Sequence, residues 1–216
     1  MNPYQDNVAR FDALAPQWDQ DAAHVRMAQK VGRAICNALQ PQAHETALEF
    51  GAGTGLATLI VAPKVARLTA IDGSAGMLDV LRAKCERKGL DHVEAVQGNV
   101  VELPLAHYDL IYSALTLHHV QDVPALLRKL AAHLNPGGRV ALADLDSEDG
   151  RFHRDGTQGV IHHGFDRGVF GQWLRDAGLA DVDFSTAWTV QREREDGSRA
   201  SYPIFLAVAS KPGDAP

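Results

Sequence analysis

The sequence predicts an α/β fold: a doubly wound, mostly parallel seven-stranded sheet with helices on both faces and a C-terminal antiparallel hairpin strand. Short apolar segments typical of strands alternate with segments of helical periodicity between residues 46 and 178. The segment 51–55 carries three glycines at alternate positions, directly after the first predicted strand. The last two predicted strands, 182–190 and 202–210, have no helix between them, which predicts a hairpin.

The order of the elements follows from this periodicity and from residues that begin or end helices. Ser74 is a suitable N-cap, and Gly89 is a left-handed stop for the same helix. Pro41 and Pro63 end two earlier helical patterns. The predicted elements, in chain order, are helix 21–39, strand 46–50, helix 56–62, strand 65–71, helix 75–88, strand 93–97, strand 108–113, helix 122–134, strand 139–145, helix 166–177, strand 182–190 and strand 202–210.

Three connections are predicted to be irregular. Residues 135–138 read Asn-Pro-Gly-Gly and predict a tight turn into the following strand. Residues 146–164 are polar, contain three histidines and show no sustained period, so they predict a long loop. Loops of that length in a compact domain are usually functional or mobile. Residues 192–199 predict the hairpin connection near the C-terminus.

Length and composition favour one domain with additions at its ends. The 216 residues are 45% hydrophobic and 22% charged, which is ordinary for a globular protein with a sizeable core. We expect residues 46–210 to form the main domain. Residues 1–45 are expected to form a helical lead-in, and residues 211–216 a frayed tail.

The charge and cysteine content exclude several classes of partner. The net charge is −6 and no run of lysine or arginine is longer than the pair at 128–129, so nucleic acid is not expected as a partner. Cys36 and Cys85 are far apart and suggest neither a disulfide framework nor a cysteine metal site, which fits a reducing cytoplasm. Signal-peptide features and long apolar runs are absent, so we expect a cytoplasmic protein without membrane contact.

The glycine segment predicts a nucleotide-type ligand, although a tight turn without a ligand remains an alternative. Residues 48–55 read Leu-Glu-Phe-Gly-Ala-Gly-Thr-Gly, a turn at which backbone can approach a dinucleotide or S-adenosylmethionine. Leu56 stands where the dinucleotide pattern has glycine, and Glu49 would repel a pyrophosphate but attract an ammonium group. Asp72 could accept hydrogen bonds from the ribose hydroxyls of either ligand. Glu49 and Leu56 therefore favour S-adenosylmethionine over a dinucleotide as the ligand.

Four motifs in this order resemble the class I S-adenosylmethionine-dependent methyltransferases, especially the small-molecule branch called methyltransferase type 11. The motifs are the segment 48–55, the triplet 98–100, the fourth-strand segment 108–120 and the turn 134–138. The resemblance covers about residues 47–210 and implies a Rossmann-like sheet.

The resemblance implies S-adenosylmethionine as cofactor, with S-adenosylhomocysteine as product. It implies that the segment 48–55 wraps the methionine and ribose, that Asp72 binds the ribose hydroxyls, and that Gly73 and Met77 flank the adenine. Asn99 departs from the family's aspartate at this position, but its amide oxygen can still accept from the adenine amino group. The predicted cofactor-binding residues are Glu49, Gly51, Ala52, Gly53, Thr54, Gly55, Asp72, Gly73, Met77, Asn99, Val100 and Ser113.

Two histidine pairs are candidates for the acceptor side of the site. Methyl transfer from a sulfonium requires alignment and exclusion of water, and a hydroxyl or thiol acceptor benefits from a nearby base. His119 and His163 are therefore predicted as bases or pocket residues, and His118 and His162 as pocket residues. Alternatively, the pair at 118–119 caps the next helix or packs beneath the cofactor.

The N-terminal segment is similar to the family's lead-in, which folds over the active site as a cap. Phe11 and Trp18 could form aromatic walls for an apolar or planar acceptor, or could instead fix the first helix to the sheet. A metal site that combines His153 with the later histidines is conceivable, but the residues lack the ligand spacing of known sites, so no metal is predicted.

The sequence thus predicts transfer of a methyl group to a small organic acceptor through oxygen, sulfur, nitrogen or activated carbon. The fourth-strand segment reads Leu-Ile-Tyr-Ser after Asp109, which lacks the motif of amide and adenine methyltransferases. A binding protein that holds the cofactor without turnover, or an NAD-dependent dehydrogenase, are the alternatives. The protein is expected to be a monomer or a homodimer.

Overall fold

The structure is a computed structural model that describes residues 3–102, 106–153, 159–193 and 197–213. Residues 154–158 of the predicted long loop, 194–196 of the hairpin connection and 214–216 of the predicted tail lie outside the described residues. At the start of that tail, Lys211 exchanges two backbone hydrogen bonds with residues 137–138.

Thirteen helices and strands make up the described fold, together with short 3₁₀ turns at Ala15–Gln20, Ala62–Lys64 and Leu117–His119. The elements are α1 (Pro3–Leu14), α2 (Ala22–Leu39), β1 (Thr46–Phe50), α3 (Thr58–Val61), β2 (Arg67–Asp72), α4 (Ala75–Lys88), β3 (Val93–Gln97), β4 (Tyr108–Ala114), α5 (Val123–His133), β5 (Leu134–Leu145), α6 (Arg167–Asp176), β6 (Ala180–Glu193) and β7 (Arg199–Ser210). None of the described helices has the length and apolar character of a membrane span.

The strands form one seven-stranded sheet in the order β3-β2-β1-β4-β5-β7-β6. β1 to β5 pair in parallel, and β7 inserts antiparallel between β5 and β6. The predicted fold class is therefore confirmed, including the C-terminal hairpin. The strand order reverses at β1 and β4, and open α/β sheets bind their ligands at the carboxyl ends of such strands.

Both faces of the sheet are covered by helices, and the period of two along each strand divides the core into two halves. In β1, Ala47 faces one half and Leu48 and Phe50 face the other. The same alternation turns Glu49 toward the face of Ala47, away from solvent. The first half includes Val31, Ile35 and Leu39 of α2 with Leu78 and Leu81 of α4, and the second includes Leu126, Leu127 and Leu130 of α5 with Phe170 and Leu174 of α6.

Residues 135–138, predicted as a turn before the fifth strand, lie inside β5 as an irregularity of the strand. The pairing of β5 with β4 shifts between Tyr108 and Leu110. The Asn135 side-chain amide donates to Asp109 Oδ1 at 2.7 Å, which holds the extra residues against β4. The predicted turn is therefore found as a bulge inside β5 and not as a separate connection, because residues 135–138 have no pairing partner in β4.

The N-terminal segment is more helical than the sequence analysis predicted. The predicted helix 21–39 is confirmed as α2, with Asp21 as its N-cap. α1 precedes it and was not predicted, although Val8, Phe11 and Ala15 recur at helical spacing. The predicted helix 56–62 is shorter, because the glycine turn extends to residue 57 before α3 begins.

We expect Phe170→Ala to lower the free energy of unfolding by about 3–5 kcal/mol, because Phe170 is fully buried between Phe165 and Phe205. Val169→Ala on the same helix should change it by less than about 0.5 kcal/mol, because Val169 is 49% exposed. Urea titrations of both variants measure the difference. Equal effects would show that α6 does not form part of the second core half.

Candidate functional site

The glycine turn joins β1 to α3. Two of its positions are suited to glycine for different structural reasons. Gly51 has φ +66°, and a side chain there would overlap the side chain of Thr116, so this position needs a close backbone approach. Gly53 has φ +53°, but a Cβ at this position would meet no heavy atom within 4 Å. The open side of Gly53 is therefore where a ligand can reach the backbone of the turn.

Asp72 ends β2 and connects the glycine turn to the start of α4. Its Oδ2 accepts from the backbone N–H of Gly53 and its Oδ1 from that of Ser74, both at 2.8 Å. Burial raises the pKa of the Asp72 carboxyl, while these N–H groups act in the opposite direction. The side chain remains partly accessible, so the carboxylate can still accept a hydrogen bond from a ligand.

Glu49 lies beneath the turn. Its Oε2 accepts from the hydroxyl of Thr58 at 2.5 Å and from that of Tyr112 at 2.9 Å. Burial raises the pKa of Glu49 to about 7, even though both hydroxyls favour the ionised form. The residue is only 2% exposed, so its predicted contact with an ammonium group stays a prediction.

A cavity of about 390 Å³ lies between α1 and the carboxyl ends of β2 and β3. Its lining brings Gly73 and Asn99 together with Val8 and Asp12 of α1. The volume lies in the range of small-molecule sites, about 300–1,000 Å³. Asn99 Oδ1 accepts from the N–H of Val101 at 3.0 Å, which fixes the amide at the wall of the cavity.

Two aspartates of the N-terminal segment fasten it over the turn and α4. Asp12 accepts from the hydroxyl of Ser74 at 2.6 Å and from the N–H of Gly76 at 2.9 Å. Asp19 accepts from the hydroxyl of Thr54 at 2.7 Å and forms an ion pair with Lys84. The sequence analysis missed both aspartates, because no local pattern relates them to partners so distant in the chain.

The other predicted cofactor residues lie around the same edge of the sheet, but mostly in the interior. Ser113 is fully buried and donates to the carbonyl of Phe50 at 2.8 Å. Ala52, Met77 and Val100 are also buried. Cofactor contact by these four side chains, and by Thr54 and Gly55, stays a prediction.

A cluster of three histidines lies beyond the carboxyl ends of β4 and β5. The ring centroid of His118 is 4.1 Å from that of His119 and 5.0 Å from that of His153. His118 Nδ1 lies 2.8 Å from Oδ1 of the fully buried Asp144. Burial raises the pKa of Asp144, but contact with His118 and backbone N–H groups outweigh this and leave it below its ordinary value.

His119 is a neutral ring of fixed orientation. Its Nδ1 lies 2.6 Å from the carbonyl oxygen of Gly159, so this nitrogen carries the proton and Nε2 is the hydrogen-bond acceptor. Burial and the neighbouring His118 lower the pKa of His119 to about 3. Phe11 packs edge-on against His119 with centroids 5.6 Å apart, and Trp18 packs against Phe11 at 5.5 Å. The structure thus brings these four predicted pocket residues together.

The second histidine pair lies outside this cluster. His162 Nε2 donates to the carbonyl of Val120 at 2.9 Å, which ties the loop to the segment after β4. His163 has a side chain that is 61% exposed, with Nδ1 3.5 Å from Glu148 Oε1. The structure therefore does not bring His163 into the cluster of His118, His119 and His153. Its catalytic role stays a prediction.

His153 of the cluster and Asp144, the partner of His118, were not placed in the pocket by the sequence analysis. Asp144 had a signal, since it is the one charged residue in the apolar run 140–145. His153 was considered only as a metal ligand. Among the described residues, no group of three or more histidine, cysteine or acidic side chains is arranged to hold a metal ion.

Comparison with known proteins agrees with this architecture. Residues 48–142 match a family model described as a methyltransferase domain. An uncharacterised methyltransferase of Schizosaccharomyces pombe is 30% identical over 132 residues, which cover 54% of this chain and 46% of that protein. The chain spans about half the length of the first curated relatives it matches.

Two further proteins match nearly the whole chain. A ubiquinone biosynthesis O-methyltransferase of Xanthomonas euvesicatoria is 28% identical, covering 98% of this chain and 96% of that protein. The solved DhpI–SAH complex has a TM-score of 0.71 at 22% identity, covering 98% of this chain and 97% of that chain. The glycine turn, the sheet order and the matched domain coincide on the same residues, and together these likenesses support a class I S-adenosylmethionine-dependent methyltransferase.

Proposed function

We propose that this protein transfers a methyl group from S-adenosylmethionine to a small organic acceptor. The observation that carries the proposal is the position of Asp72, whose carboxylate links Gly53 and Ser74 beside the cavity under α1. A carboxylate acceptor at this place fits a ligand with ribose hydroxyls. The space beside Gly53 is open, so a ligand has room to contact the backbone of the turn. Proteins with SAM or SAH bound are among the structural neighbours, which supports the same cofactor here.

Different residues of the chain would contact different parts of the cofactor. Asp72 would accept from the ribose hydroxyls, and Asn99, beside Glu102, would face the adenine end of the cavity. The turn and Glu49 would meet the methionine end, where the ammonium group lies. The bound cofactor supplies an electrophilic methyl group. The protein supplies alignment and exclusion of water, which in-line transfer requires.

We also propose that the N-terminal residues 1–45 act as a cap and that the acceptor lies on its histidine side. Asp12 and Asp19 fasten this segment over the turn, and Phe11 contacts His119 in the cluster. Two relatives, a ubiquinone biosynthesis O-methyltransferase and a demethylmenaquinone methyltransferase, carry small-molecule acceptors in their names, which supports an acceptor of that size.

Saturating S-adenosylhomocysteine should raise the melting temperature by roughly 5–10 °C, because a ligand at 100 times its Kd stabilises by about 2.7 kcal/mol. NAD at the same concentration should leave it unchanged. Thermal denaturation with each ligand tests the cofactor, and transfer of a labelled methyl group to a panel of phenols, thiols, quinols and amines tests the reaction. Cofactor binding without any transfer would favour a non-catalytic binding protein.

Asp72→Asn should weaken S-adenosylhomocysteine binding by about 10- to 100-fold, because the amide cannot accept at both of its polar atoms. Isothermal titration calorimetry measures the affinity. Asp79→Asn is the matched control, since Asp79 is exposed on α4 and pairs with Arg82. An unchanged affinity in Asp72→Asn would remove Asp72 from the cofactor site.

Binding of S-adenosylhomocysteine at pH 7 should release up to about half a proton from Glu49. Its pKa of about 7 leaves the carboxyl half protonated, and an approaching ammonium group favours the ionised form. Calorimetry in two buffers of different ionisation enthalpy counts the protons. Glu49→Gln is the comparison, because protons from the ligand itself are the same in both proteins. Equal proton counts would show that the ammonium group binds elsewhere.

A further inference from the structure

Two buried polar atoms beside the histidine cluster lack a hydrogen-bond partner among the described residues. They are Asn7 Oδ1 on α1 and His153 Nδ1. Asn7 is 8% exposed and lies directly against Gly159, where an added Cβ would be 2.5 Å from Asn7 Oδ1. The carbonyl of the same Gly159 holds His119. An unpaired buried polar atom destabilises a protein, so two of them at one place need an explanation.

The hydrogen-bonding character of this region is set by its geometry. Asn7 Oδ1 can only accept, and His119 Nε2 can only accept because Nδ1 already donates to Gly159. Burial lowers the pKa of His153 to about 4, so this ring is neutral as well. Asn7 Oδ1 and His119 Nε2 are therefore neutral acceptors, and the molecule that satisfies them brings donors, whereas His153 Nδ1 accepts or donates according to its tautomer.

The surroundings of these atoms are aromatic. Phe11 packs edge-on against His119, and Trp18 follows Phe11. On the other side, Phe152 lies 5.0 Å from His153 and 5.6 Å from Tyr202, measured between ring centroids. Aromatic walls with a few convergent polar atoms are typical of a site for a planar molecule.

We infer that Asn7, His119 and His153 form the acceptor subsite and that the acceptor is a planar, hydroxylated molecule of the phenol or catechol class. This inference rests on the proposed function, because it assigns the acceptor of the same site. The hydroxyl hydrogens bond Asn7 Oδ1 and His119 Nε2, and the ring packs against Phe11, since Phe152 and Tyr202 are buried behind His153. His119 is a positioning residue in this arrangement, since it orients the hydroxyl by accepting from it.

The test compares two probes of similar shape on the protein saturated with S-adenosylhomocysteine. Catechol carries two hydroxyl donors, and 1,2-dimethoxybenzene carries none. We expect catechol to bind with a Kd of roughly 1 mM and the dimethyl ether to bind at least about tenfold more weakly, as observed by ligand NMR. Equal binding of the two probes, or no catechol binding at about 50 mM, would overturn the inference.

Asn7→Leu should reduce catechol affinity by about tenfold and reduce the ratio of the two probes by the same factor, because it replaces one of the two acceptors with an apolar group of similar size. The matched control is Asn37→Leu, an exposed position on α2. A probe ratio that is unchanged in Asn7→Leu would count against the subsite.

His119→Phe provides a second test that does not depend on α1 folding normally after substitution. It should lower catechol affinity by a similar factor, whereas His44→Phe, exposed before β1, should not. Affinity for S-adenosylhomocysteine is measured in every variant. Failure of the wild-type protein to bind that cofactor product would contradict the proposed function, whereas normal cofactor binding with no preference for catechol would contradict this inference alone.

Discussion

The start of α4 is the point on which both halves of the candidate site depend. Two carboxylates use the same helix N-terminus: Asp72 accepts from the N–H of Ser74, and Asp12 accepts from the Ser74 hydroxyl and the N–H of Gly76. Helix N-termini stabilise negative charge, which allows the two acids to lie close together. Asp12 nevertheless contributes to the raised pKa of Asp72. The position of α1 therefore influences the pKa of Asp72, the residue predicted to bind the ribose.

Two other carboxylates show how the ends of the strands accommodate buried charge. Glu49 and Asp144 are almost completely buried, yet their pKa values move in opposite directions. Glu49 has only neutral hydroxyl donors, so burial prevails and raises its pKa to about 7. Asp144 faces His118, and that contact with its backbone donors outweighs burial. The first can change charge when a cation binds, whereas the second holds a histidine in place.

The parts of the fold that the sequence predicted are those that depend on local periodicity. The strands β1 to β4 were located to within about two residues, whereas β5 begins five residues before its predicted start, and the caps of α4, Ser74 and Gly89, are those predicted. The glycine turn and Asp72 were likewise readable, because their relation is set by a strand end and a short spacing. Contacts such as Asp12 with Ser74, 62 residues apart, carry no local signal and required the three-dimensional structure.

The two ends of the proposed site are built from different kinds of structural element. This difference explains why the cofactor was easier to predict than the acceptor. The proposed cofactor end is built from backbone N–H groups and carboxylates at the ends of β1 and β2, which the sheet places by its own geometry. The proposed acceptor end is built from α1, the turn after β4 and the segment around Gly159, which are far apart in the chain and meet only in the tertiary structure. Their side chains are not fixed by strand alternation, so they can change without disturbing the sheet. On the proposed function, acceptor specificity therefore resides in elements that the sheet supports but does not determine.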